Sequence, residues 1–176
     1  MSTGELMTRL PIWVMLTAYF VGAVLLTLSH RRPQVERAAR WAWTIAVLSL
    51  LIHVGCAYHF YHRWSQESAY RETARQTAQL TGIEWGGGLY INYFLILCWM
   101  IDVGWWWRGL EQYRRRSATL AVIWQGFLIF VIFNATVVFK TGALRFIGIV
   151  LCGILCLLWL FEAVNRSSEK SSEALH

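Results

Sequence analysis

Five apolar stretches, each about as long as a bilayer-crossing helix, occupy most of the 176-residue chain. They cover residues 11–29, 38–62, 85–107, 118–139 and 143–164. The hydrocarbon core of a bilayer is ~30 Å thick and a helix rises ~1.5 Å per residue, so about 20 mostly apolar residues cross it. The expected class is therefore all-α. Residues 1–164 should form a polytopic membrane bundle of five transmembrane helices, with one short interfacial helix on the outer side.

Composition agrees. The chain is 57% hydrophobic, with 11 tryptophans and 2 prolines, and its mean hydropathy is +0.43. Residues 165–176 are polar and Ser-rich, and are expected to form a disordered cytoplasmic tail. The first apolar run is too long for a signal-peptide core, and no small-residue cleavage site precedes His30-Arg31-Arg32-Pro33, so it is read as a retained span. Pro11 suits a first helical turn, and Pro33 stops the first span. Cys56, Cys98, Cys152 and Cys156 all fall inside spans, where they act as small packing residues.

The formal charge of +6 is carried largely by short loops, so it points to anionic headgroups and topology rather than nucleic acid. Ten of the sixteen basic residues lie in the first loop, the third loop and the tail. The positive-inside rule places that side in the cytoplasm, with the N-terminus out and the C-terminus in. A bacterial-type inner membrane is the expected location. Trp41, Trp43 and Trp105-Trp106-Trp107 are read as an interfacial belt on the inner side.

The outer loop, residues 63–84, is the longest polar segment. Ser65 can cap a helix there and Gly82 can end it. Glu67 precedes Arg71 at the favourable four-residue spacing. Tyr70, Ala74 and Ala78 form a narrow apolar stripe, so this helix is expected to lie at the interface.

Polar groups inside a span need partners or a purpose. His53, His59, His62, Asn92 and Asn134 all fall in the outer half of the bundle. With Gly86, Gly87 and Gly88 they define a candidate ligand pocket. The glycines allow close approach near a helix N-terminus, which suits an anion, although a packed turn is the simpler reading. His59 and His62 are three residues apart and nearly share a helix face, so they could hold a transition metal together with Glu67 or Glu84. Haem fits less well, because His30 and His53 lie at different depths. In the inner half, Asp102 and Gln125 match in depth and form a candidate structural pair.

These features favour an accessory or ligand-binding membrane protein in contact with lipid, with a membrane-protein partner or a homo-oligomer as further options. The competing expectation is a small membrane enzyme acting on a lipid or quinone, with a histidine as base or metal ligand. A transporter ranks third, since five spans give no even split into repeats.

Overall fold

Ser2 starts the first helix by accepting the Glu5 amide on its hydroxyl at 3.2 Å. This helix, α1 (Thr3–Leu28), begins eight residues before the expected span and carries Pro11 inside it. Pro11 therefore sits in the third turn rather than the first, where it removes one donor from the ladder. Pro33 takes the first-turn position in α2 (Pro33–Ala57), behind an extended Arg32. It opens the second helix rather than closing the first.

The computed structural model describes residues 2–28, 32–138, 145–158 and 160. The expected outer turn at 140–142, the tail at 165–176, His30 and the ends of the fifth span lie outside the described residues. The described residues that are not loop are all helical.

Beyond Ala57 the α2 helix widens into a π-helical segment, Tyr58–His62. Arg63 and Trp64 stop it with left-handed φ angles of 49° and 60°. Ser65 then caps α3 (Gln66–Thr81) by accepting the Ser68 amide, and Gly82 ends it at φ 75°. After the glycine run come α4 (Gly88–Arg108) and the short α5 (Leu110–Arg114). Ser117 caps α6 (Ala118–Phe133), which also passes into a π-helical segment, Asn134–Val138. There Asn134 donates to the Phe130 carbonyl and Thr136 to that of Ile132, both at 2.7 Å. Such side-chain bonds compete with the regular ladder. The last described helix is α7 (Arg145–Leu158).

Four helical stretches are long and apolar enough to cross a membrane: Thr3–Thr27, Pro33–His62, Gly88–Arg108 and Thr119–Val138. The chain thus has the helices of a membrane protein. The described part of α7 is apolar but shorter than a full crossing.

Helices α1 and α2 form an antiparallel hairpin, with Thr8 near the start of α1 bonded to His53 near the end of α2. Their core is aromatic. The rings of Tyr19, Trp43 and Trp99 touch one another, with centroids 5.4–6.0 Å apart, and none of the three is exposed. Gly22 makes room for this, since a Cβ there would lie 3.0 Å from the Trp43 ring. Leu128 and Ile132 from α6, and Cys152 and Leu155 from α7, extend the same core. In lipid the gain from such packing is dispersion between well-fitted surfaces rather than removal from water.

Candidate functional site

The arginine-rich end, where α2 and α6 begin and α4 ends, holds the most connected polar group. Asp102 lies in the second-last turn of α4 and is 8% exposed. One carboxylate oxygen accepts the Trp43 indole N–H at 2.9 Å and the Tyr113 hydroxyl at 3.2 Å. The other accepts from Arg116 at 2.9 Å. Arg116 lies outside the span, yet its long side chain reaches inward while its base stays in the loop. Its guanidinium rests 4.0 Å from the centre of the Tyr113 ring. That ring stacks in parallel on Trp106, with centroids 4.6 Å apart. Burial, reinforced by the neighbouring Asp102 charge, pushes the Tyr113 phenol above its ordinary range, so it stays protonated as a donor.

A second ion pair lies nearby. Arg114 forks onto buried Glu36 at the start of α2, with Nε 3.0 Å from one oxygen and an Nη bonded to the other. The two pairs tie α2, α4, α5 and the turn before α6 into one end structure.

Two expectations change here. The Asp102–Gln125 pair does not form. Asp102 is occupied by Trp43, Tyr113 and Arg116, and Gln125 Oε1 is buried with no hydrogen-bond partner among the described residues. Depth alone set that pairing, and depth does not fix which way a side chain points around its helix. Trp43 and Trp106 are also not belt residues: both are buried, while Trp41 and Trp107 are exposed.

At the opposite end the expected pocket residues are dispersed. His53 Nδ1 lies 2.8 Å from the Thr8 carbonyl, and His62 Nδ1 lies 3.3 Å from the Ser68 hydroxyl. Asn134 bonds back to its own helix. His59 is exposed against the Phe60 ring, and Asn92 is exposed. No hydrogen bond or ring contact among the described residues joins any two of these five.

The metal set of His59, His62, Glu67 and Glu84 is likewise not assembled. Among the described residues no group of three or more His, Cys, Asp or Glu side chains could hold a metal. His59 and His62 lie in the π-helical segment, where each residue turns the chain less than in an α-helix, so side chains three apart diverge further. Glu67 is also engaged by Arg71, four residues on, as the spacing predicts.

What does gather at this end is a tyrosine cluster. The Tyr58 and Tyr93 hydroxyls meet, and both donate to Gln66 Oε1, at 2.7 and 2.8 Å. This bolts the first turn of α3 onto the π-helical segment after α2 and onto α4. The glycine run completes the seat. Gly86 is buried beneath α3, where a Cβ would lie 2.6 Å from the Tyr70 carbonyl oxygen. The Trp85 ring folds over Gly87. The amides of Leu89, Tyr90 and Ile91 are spent on the carbonyls of Gly86 and Gly87. Gly86 therefore serves the close packing of α3.

No protein-family model, curated protein or solved structure matches the chain.

Proposed function

We propose that this chain is a five-span integral membrane protein, N-terminus out and C-terminus in, that acts as a non-catalytic accessory or lipid-binding bundle. Residues 143–164 supply the fifth crossing, and α3 lies along the outer interface. The observation that carries this reading is that both Asp102 oxygens are engaged by the protein's own donors. A carboxylate that relays protons or attacks a substrate has to offer an oxygen to water or substrate. Both oxygens of Asp102 instead hold donors from the protein itself, drawn from α2, α5 and the turn before α6. Its chemistry is that of a clamp. The exposed side chains of α6 and α7, such as Val122, Ile123 and Phe146, are those a lipid phase would cover.

Incubation of the purified full chain with a total lipid extract, followed by mass spectrometry, tests this reading. Lipid recovered bound and chemically unchanged supports it. Turnover of any lipid or quinone species would establish an enzyme instead.

A further inference from the structure

Arginines at the clamp end divide into two groups. Arg114 and Arg116 are neutralised by Glu36 and Asp102. Arg37, Arg40 and Arg108 have no carboxylate partner among the described residues. Of these, Arg40 is held in place. Its guanidinium carbon lies 4.1 Å from the centre of the Trp107 ring on α4. Trp107 is fixed in turn: its indole N–H donates to the Thr44 hydroxyl at 3.0 Å, and Trp41 packs edge-on against it at 4.9 Å. The Thr44 hydroxyl donates to the Arg40 carbonyl at 2.8 Å, closing a ring of contacts between α2 and α4. Arg40 Nε is shut off from solvent without a hydrogen-bond partner, so the terminal nitrogens are the donors left for an external acceptor.

The surface beside this cation is amphiphilic. Arg37, Trp41, Ile45, Leu48 and Ile52 recur every three or four residues, so they share one face of α2. All five are exposed. Arg37 stands at the charged end of that face with Arg40 beside it towards Trp107, Trp41 at the headgroup level where indoles settle, and the aliphatic residues along an acyl chain's depth. A free anion would use the cations and leave the stripe bare. An anionic phospholipid uses both.

We propose that the exposed face of α2 beside Trp107 of α4 is a specific site for an anionic phospholipid, its phosphate on Arg40 and Arg37 and an acyl chain along Ile45, Leu48 and Ile52. A planar guanidinium pinned to an indole suits a phosphate, because it forms paired bonds with little further loss of freedom. The site deepens the lipid-binding reading and rests on α2 and α4 crossing a bilayer.

Native mass spectrometry of the full chain, delipidated in neutral detergent and titrated with phosphatidylglycerol or phosphatidylcholine, tests the proposal. Wild type should retain phosphatidylglycerol preferentially. Arg40→Gln should weaken that retention by about five-fold, the size of one arginine near an anionic surface. Arg40→Lys keeps the charge but loses the planar stack, and should fall between. Arg115→Gln removes an exposed arginine from the same end and should change nothing. Excess inorganic phosphate should not displace the lipid. Equal losses in Arg40→Gln and Arg115→Gln would reduce the site to diffuse charge, and displacement by inorganic phosphate would make the ligand a free anion. Either result overturns the proposal, as does equal retention of the two lipids. If Arg40→Gln fails to fold, Trp107→Leu tests the same seat by freeing the guanidinium. Resistance of the wild-type chain to alkaline extraction from membranes separates failure of this site from failure of the membrane reading.

Discussion

The Trp43 indole donates to the Asp102 carboxylate at 2.9 Å, joining α2 to α4 across 59 residues of sequence. Trp43 is wholly buried, and its ring also packs on Tyr19 and Trp99. One residue thus anchors the aromatic core and the ionic clamp together. Asp102→Asn should leave Arg116 without its counter-charge and cost about 3 kcal/mol. Trp43→Phe keeps most of the ring and loses one bond to a charged acceptor, so about 2 kcal/mol is expected. Neutralising both charges while keeping an acceptor for Trp43 and Tyr113, Asp102→Asn with Arg116→Gln, should recover part of the Asp102→Asn loss. Thermal unfolding in detergent reads all three. Losses that simply add in the double variant would deny the coupling.

Arg114 grips Glu36 through two nitrogens. Arg114→Lys offers a single point charge in place of that fork and should destabilise the chain despite conserving charge. Exchange of the two residues, Glu36→Arg with Arg114→Glu, should restore part of the loss relative to either single change. A double-mutant cycle in thermal unfolding measures this directly.

Gly86 and Gly88 differ sharply in the space around them. A Cβ on Gly86 would collide with the Tyr70 backbone carbonyl at 2.6 Å, whereas on Gly88 it would reach only the Thr73 methyl at 3.4 Å. Gly86→Ala should push α3 off its seat, cost about 1–3 kcal/mol and speed proteolysis within α3. Gly88→Ala should be tolerated. Equal protease sensitivity in the two variants would contradict the packing role.

On α3, Arg75 holds the Glu72 carboxyl below the usual carboxylate range, through a hydrogen bond reinforced by charge. A depressed folded-state pKa gives stability that is present above the unfolded value and is lost as pH falls through the folded one. The local stability of α3 should therefore decline in acid, below the ordinary glutamate range. Arg75→Gln should move the Glu72 titration upward, as followed by the side-chain carboxyl resonance in NMR. An unchanged titration would show that the pair is not formed in solution.

The sequence made some of this readable and hid the rest for physical reasons. Hydropathy located four long apolar helices, because in lipid the apolar run itself defines the element. The ends of α3 were legible too, since Ser65 and Gly82 carry short-range capping chemistry. Helix azimuth was not legible. Apolar residues surround α4 on every side, so nothing along it distinguished buried Trp106 from exposed Trp107, or aimed Asp102 at Trp43 rather than Gln125. The spacing argument for His59 and His62 assumed an α-helix, whereas Tyr58–His62 is π-helical. The inward reach of Arg116 had one available signal: a lone acid in a span, one long basic side chain away from the nearest loop.

The central claim is a membrane bundle whose arginine-rich end faces the cytoplasm. Reporter fusions at Arg116, at Gln76 and at the C-terminus test it most directly. Cytoplasmic signals at Arg116 and the C-terminus, with Gln76 on the outer side, are the result this account predicts. An outer-side signal at Arg116, or Gln76 and Arg116 on the same side, would contradict it.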